Sequence, residues 1–248
     1  NGSLGTNDFC VMKYEARESS GAVSTTSAGS PWVAIKAVDA YARCGEMTEA
    51  NFTGEFSMIS NTEWMTIARD IESTDDNWSG GSVGIGKLLR GHSDNSPSNI
   101  VGVTDDSDPY DSTGNTSSDP VGAGWEQGRT HLLSNGSVVW DFSGNIWEWT
   151  DWDSASTGYD LGPIDELSGF KDLTTVPTGS LNIDDFQSSG NYPSSFNVGY
   201  WAGGTGGAAF RGGQYNNNNV AGIYTIALYL SATVSVGQIG FKCVYRAP

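Results

Sequence analysis

Near the C-terminus two closely specified ends enclose an unspecified middle, and no other feature constrains the chain as much. Phe210-Arg211-Gly212-Gly213 opens the stretch, and Ile239-Gly240-Phe241-Lys242-Cys243-Val244 closes it. Between them, from Gln214 to Gln238, no clean period appears. That middle begins with Gln214-Tyr215 and the asparagine run Asn216 to Asn219, and continues as an apolar-aromatic run. A fixed frame around an irregular insert suits a contact surface, because binding residues concentrate on segments that a rigid scaffold positions.

A second specified segment runs from Val138 to Thr150 and reads as strand, tight turn, strand, with Ser143-Gly144-Asn145 as the turn. Trp147 and Trp149 are two apart and share one face of a strand, which sends Glu148 to the other. If that face is covered, the carboxylate needs a partner, since a lone buried charge is costly. Arg211 is the expected partner.

Two helices are signalled upstream. For the first, Ser30 suits the cap, Pro31 the first turn and Gly45 the stop. Trp32, Ile35, Val38 and Ala42 recur between them at helical spacing. For the second, Ser60-Asn61-Thr62-Glu63 fits a capping box, followed by Trp64, Ile67, Ala68 and Ile71 on one face. Before them, residues 1–29 read as an extended lead-in. Phe9 to Tyr14 has strand character and Ser19 to Ser30 reads as loop.

Polar, glycine-rich passages at 73–130 and 154–207 read as insertions within one domain spanning 1–248, in keeping with 33 glycines in 248 residues. The formal net charge of −17 opposes phosphate backbones and anionic headgroups, which argues against nucleic-acid and membrane-surface partners. No apolar run approaches the length of a membrane span. The chain begins at Asn1 without Met and reads as processed or trimmed. Asp105, Asp106, Asp108 and Asp111 are dense enough to ligate calcium. However, Ser117 stands where an EF-hand loop starting at Asp106 would place its closing glutamate, so a solvated loop is the default. Two histidines and no Cys-x-x-Cys disfavour zinc. For Cys10, Cys44 and Cys243, one bridge with a free thiol and three buried thiols are both open readings.

Asn145-Ile-Trp-Glu-Trp149, Phe210-Arg-Gly-Gly213 and Ile239-Gly-Phe-Lys-Cys243, in that order, resemble the formylglycine-generating-enzyme type of C-type lectin-like fold. Ser60-Asn-Thr-Glu-Trp64 with Ala68-Arg69 is similar to that family's second-helix segment. The resemblance implies an α+β domain of two helices, small antiparallel sheets and long loops. The tail is more specific. It resembles the variable region of proteins diversified by retroelements, which commonly runs from Arg-Gly-Gly through Asn-rich stretches to Ile-Gly-Phe-Arg-Cys. Lys242 replaces the usual Arg and keeps the charge.

In such systems a reverse transcriptase acting on the gene randomises template adenines, chiefly in asparagine codons. The resemblance therefore implies a variable region at about 211–243. Its variable positions would be Gln214, Asn216, Asn217, Val220, Ala227, Tyr229, Leu230, Val234, Val236 and Gln238, all pointing outward. Gln cannot arise from an AAC codon by changing adenines, so Gln214 and Gln238 come from other codons or are fixed. Leu230, Val234 and Val236 also read as ordinary strand residues. Tyr215 and Tyr229 suit contact anchors, since Tyr gives large area at low entropic cost. Trp147, Glu148, Trp149, Arg211, Gly212, Gly213 and Phe241 are the structural frame, with Trp147, Trp149, Phe210 and Phe241 forming the core.

The implied function is binding: receptor recognition on a virion or cell surface, with a protein or glycan on a target as partner, without catalysis or cofactor. Two other readings compete. A formylglycine-generating or sulfoxide-forming enzyme would use paired cysteines with copper, or several histidines with iron. A calcium-dependent lectin would use a Glu-Pro-Asn type loop. The two cysteines expected near the C-terminal motif are absent, the two histidines lie in unrelated loops, and no such calcium loop appears.

Overall fold

Strict alternation in the closing frame builds the centre of the molecule. The computed structural model describes residues 6–116, 124–151, 171–172, 188, 190, 192, 194–202 and 208–248. The strands are β1 (Phe9–Val11), β2 (Arg17–Ser19), β3 (Ala22–Ser24), β4 (Glu55–Met58), β5 (Thr130–Leu132), β6 (Val138–Trp140), β7 (Trp147–Trp149), β8 (Lys171–Asp172), β9 (Tyr200–Ala202), β10 (Ala208–Gly212), β11 (Gly222–Leu230), β12 (Ile239–Phe241) and β13 (Cys243–Arg246). The helices are α1 (Ala37–Gly45) and α2 (Asn61–Glu72).

The largest sheet has six strands in the order β12-β7-β10-β11-β9-β8. It is mixed rather than wholly antiparallel: β12 runs parallel to β7, and β9 parallel to β11. A three-stranded sheet, β1-β13-β4, and two hairpins, β2-β3 and β5-β6, complete the fold. The six-stranded sheet divides the core. Ala208, Phe210, Ala227, Trp147, Trp149, Ile239 and Phe241 cluster with Ala37, Ala40 and Cys44 of α1. Ala209, Tyr224, Ile226, Leu228 and Trp201 cluster with Trp64, Ile67, Ala68 and Ile71 of α2. Adjacent strand residues thus go to opposite faces, each covered by one helix. The expected core of Trp147, Trp149, Phe210 and Phe241 is present, each side chain worth roughly 1.5–3 kcal/mol of burial.

α2 begins where the capping box places it. Glu63 N–H donates to Ser60 Oγ at 3.2 Å, and Ser60 N–H donates to Glu63 Oε2 at 2.9 Å. α1 begins later than expected, with Lys36 at its cap. Ala34 has φ +57°, which a right-handed helix cannot contain. Its backbone is committed elsewhere: Trp32 N–H donates to Ala16 O and Ala34 N–H to Val236 O. Trp149 Nε1 donates to Ile35 O at 3.0 Å, fixing the same approach. The buried face of α1 is therefore Ala37, Ala40 and Cys44, and Val38 is half exposed.

The Ser19–Ser30 loop contains β3, joined to β2 by Ser20-Gly21, both at positive φ as a two-residue hairpin turn requires. The two strands of the 138–150 segment do not pair with each other. β6 joins β5, and β7 joins β10 and β12. Cys44 and Cys243 form a disulfide with Cα atoms 5.5 Å apart, tying α1 to β13, and Cys10 is an exposed free thiol. This excludes three buried thiols.

Glu148 faces the covered side, and its partner is Lys242, at 2.7 Å. Arg211 is directly across the sheet from Glu148, but its Nε donates to Asn61 and its Nη1 to the Tyr224 carbonyl. Lys242 follows directly on β12, two residues past Gly240, which pairs with Glu148, so continuing the alternation delivers its ammonium to the Glu148 face. Burial pushes the Glu148 carboxyl up to about 7, against the pull of Lys242.

The 73–130 passage has apolar pegs but is nailed down by polar side chains. Arg129, fully buried, pairs with Asp141 through Nε at 2.8 Å and Nη2 at 2.6 Å. Its Nη1 donates to the carbonyls of Gly102 and Asp111. The guanidinium also lies 5.3 Å from the Trp140 ring. The expected insertion at 154–207 lies largely outside the described residues. Among the described residues, no helix is long and apolar enough to cross a membrane.

Candidate ligand-binding surface

Gly212 and Gly213 set the entry to the irregular segment. Both have positive φ, +88° and +86°. A Cβ on Gly213 would stand 2.7 Å from Ala221 Cα, so the two ends of the 213–221 loop touch only because that residue is glycine. The frame's Arg-Gly-Gly is thus one core residue followed by turn chemistry.

The loop after Gly213 is fastened through its main chain. Tyr215 N–H donates to Asn145 O at 3.1 Å, Asn95 N–H to Tyr215 O at 2.7 Å, and Asn218 N–H to Ser93 O at 2.7 Å. Its acceptors and donors belong to two fixed segments, 91–97 and the 143–145 turn. Gln127 Oε1 holds the first of these by accepting from the backbone N–H of Ser93 and Asp94. Inside the loop, Asn217 Oδ1 accepts from Gln214 N–H, so the Asn217 side chain also shapes the turn. Asn216 is exposed, and Gln214, Tyr215, Asn217 and Val220 are half-buried.

The second irregular stretch, 231–238, leaves the far end of β11 and returns to the start of β12. Its main chain is fastened too: Val236 O accepts from Ala34 N–H, and Ala232 O from Val38 N–H. Val234 is exposed, while Leu230 and Val236 are half-buried against the α1-side core. The competing reading of these as strand residues holds for Leu230 alone, the last residue of β11. Tyr229 is 46% exposed and packs edge-on against Phe210, with ring centroids 5.2 Å apart. It is an exposed aromatic side chain seated on the core.

Ala227 is a correction. Expected to point outward, it is fully buried in β11, paired with Phe210 and packed in the α1-side core. β11 is internal to the sheet, so from Gly222 to Leu228 its residues are buried on both faces. Exposure returns only at Tyr229.

Register decides which positions come together. Gly212 pairs with Gly222 and Ala208 with Leu230, so Tyr229 and Leu230 lie at the opposite end of β10 from the 213–221 loop. The five residues of β10 make that separation roughly 13 Å. Gln238 lies back at the first end, since Ile239 pairs with Trp147. It is two strands from Gly213, or roughly 10 Å. The surface is therefore two patches, joined by the 231–238 crossing. No Asp, Glu, Lys, Arg or His stands between Arg211 and Lys242, in a chain of net charge −17.

The acidic run of the 73–130 passage is occupied with local bonds. Asp106 pairs with Lys13 at 2.6 Å, Asp111 accepts from Thr104, Asp105 from Ser107 and Asp108 from Tyr110 N–H. Among the described residues, no three His, Cys, Asp or Glu side chains converge as a metal site. Cys243 is bonded to Cys44, and His92 and His131 are both buried, each with one ring nitrogen beside a backbone carbonyl.

A mixed sheet with a helix on each face, long polar loops and a main-chain-fastened C-terminal segment defines a C-type lectin-like domain of the formylglycine-generating-enzyme subtype. The chain belongs to the FGE-sulfatase family, the sulfatase-modifying factor enzyme 1-like domain, which it matches over residues 6–247. Among solved structures it is similar to Treponema denticola variable protein 1, at 12% identity and a TM-score of 0.40, covering 96% of this chain and 84% of that one. No curated protein matches it.

Proposed function

We propose that this protein is a retroelement-diversified binding protein that recognises a protein or glycan on a target surface. It does so through residues 214–220, 229–230 and 234–238, displayed on a C-type lectin-like scaffold at a virion or cell surface. The observation that carries the reading is the mode of attachment. Both irregular stretches are held to fixed segments chiefly through main-chain hydrogen bonds, which survive replacement of the side chains. A segment held by its side chains would lose its shape with each new sequence. The uncharged, Tyr- and Asn-rich surface supports the same reading, since Tyr and Asn combine contact area with adaptable hydrogen bonding.

The test is at the nucleotide level. A near-copy of the stretch encoding Arg211–Cys243 is expected beside a reverse transcriptase gene, differing at template adenines that fall on the exposed and half-buried positions and spare the Ala227 codon. A source genome without such a copy, or a copy whose differences fall on buried codons, contradicts the proposal.

A further inference from the structure

His92 is fully buried beneath the display loop. Its ring stacks on Tyr215, with centroids 6.0 Å apart and planes 29° apart. Its backbone carbonyl accepts from Asn145 N–H, and Asn145 in turn accepts from Tyr215 N–H. Gly144 permits this approach, because a Cβ there would lie 2.5 Å from His92 O. One residue thus touches both halves of the seat, the 91–97 segment and the 143–145 turn.

The ring's hydrogen bonding fixes the tautomer of its neutral form. Nε2 lies 3.1 Å from the Pro97 carbonyl, which can only accept, so the neutral ring carries its hydrogen on Nε2. Nδ1 is then a bare lone pair, and it is buried with no partner. A second proton on Nδ1 would place a charged N–H in the seat with no bond waiting for it, since the Asn145 side chain that pulls toward the charged form is already engaged by Val101 N–H and Glu15. An unpaired buried donor and charge is costly, whereas opening the loop would give it water.

We propose that His92 is the positioning residue of the display loop, and that protonating its bare ring nitrogen releases the loop, so that recognition is lost on mild acidification. The consequence for recognition rests on the display reading above; the release of the loop does not.

The surrounding charges leave this balance in place. The display loop contributes none. From the segment of His92 itself, Arg90 is paired with Glu126, and Asp94 accepts from Ser96 and Asn115. On the side of the 143–145 turn, Asn145 holds Glu15, and Asp141 is clamped by Arg129. Burial lowers the affinity of His92 for a proton below the ordinary value of 6.5, with Asp141, the Asn145 side chain and the Pro97 carbonyl pulling the other way. The sign follows from linkage. The seated ring binds a proton less readily than the released ring, so the seated state is undisturbed above about pH 6.5 and loses ground as pH falls below it.

The experiment is amide hydrogen exchange on the intact chain, expressed as protection factors at pH 7.5 and pH 5. The reporters are the loop amides of Tyr215, Asn95 and Asn218, read against amides of β10 and β11. Loop protection is expected to fall roughly ten-fold, with about 30-fold as the ceiling for a group of ordinary pKa near 6.5. The β10 and β11 amides are expected to hold. His92→Phe keeps a ring against Tyr215 and cannot titrate, so its loop profile is expected to be flat. A flat wild-type profile overturns the proposal. So does loss of loop and strand protection together, or a His92→Phe profile that still falls with pH. The wild-type comparison decides the matter even if His92→Phe fails to fold. Because the readout is the loop's own amides, a negative result leaves the display reading to its separate nucleotide test.

Discussion

Asp141→Asn is expected to lower the unfolding free energy by about 3–5 kcal/mol. The substitution is nearly isosteric, and Asn tolerates the positive φ of +48° at this position, so the backbone is not the cause. What changes is the charge beside Arg129. The guanidinium is fully buried, and Asp141 is its two-bond counter-ion. Carbonyls of Gly102 and Asp111 satisfy other donors but carry no net charge. Losing the carboxylate removes the two-bond partner and leaves the buried cation to the Asp111 carboxylate, 3.9 Å from Nη1. Because those carbonyls lie in the 101–111 loop, that loop should loosen first. Urea unfolding with exchange at Val101–Asp111 checks both points, and a loss under 1 kcal/mol would show that the carbonyls and the Asp111 carboxylate suffice.

Cys44→Ala is expected to cost about 4–5 kcal/mol. The disulfide closes a sequence separation of 199 residues, and in the chain-entropy model so long a loop gives a stabilisation near the upper end of the usual range. The bond also joins α1 to β13, the pair that clamps one face of the aromatic core. Comparison in a Cys10→Ser background prevents exchange with the free thiol. The doubly substituted Cys44→Ala/Cys243→Ala chain should match reduced wild type and be indifferent to reductant. Equal midpoints with and without reductant in the wild type would show that the bond contributes little.

Much of the frame was legible because its signals are local. The capping box starts α2, Trp147 and Trp149 share a face by alternation, and Gly212-Gly213 announces a turn. Legibility failed where a distant segment decided the outcome. Ser30-Pro31 is a good helix start in isolation, but Ala16 and Val236 capture the backbone of 32–34 first. The partner of Glu148 was sought in Arg211 across the sheet; Lys242 has the same parity on the neighbouring strand and could have been found by carrying the alternation one residue past Phe241. Arg129 closed a polar passage without pattern, and nothing in its neighbours announces that it is the buried nail of that passage.

The candidate surface was legible in part for a similar reason. The ends and the asparagine run identify the segment, and the exposed positions Asn216, Tyr229 and Val234 follow from the register of the resemblance. Ala227 fails because β11 is internal to the sheet, a fact of topology that no local residue states. The seat formed by 91–97 and 143–145 was missed altogether. Its bonds are made by main-chain groups, which leave no trace in residue identity, apart from the glycine at 144.

The central claim is that side chains of the irregular segment are free to change while its main chain stays seated. The most direct measurement is a library randomised at Asn216, Val220, Tyr229 and Val234, scored clone by clone for cooperative unfolding, beside a library randomised at Ala227. In the first, most members are expected to fold within about 0.5–1 kcal/mol of the parent, as surface changes do. In the second, larger residues are expected to cost about 1–3 kcal/mol by overpacking. Equal losses in the two libraries would contradict the account, because the segment would then be core and its sequence a structural requirement.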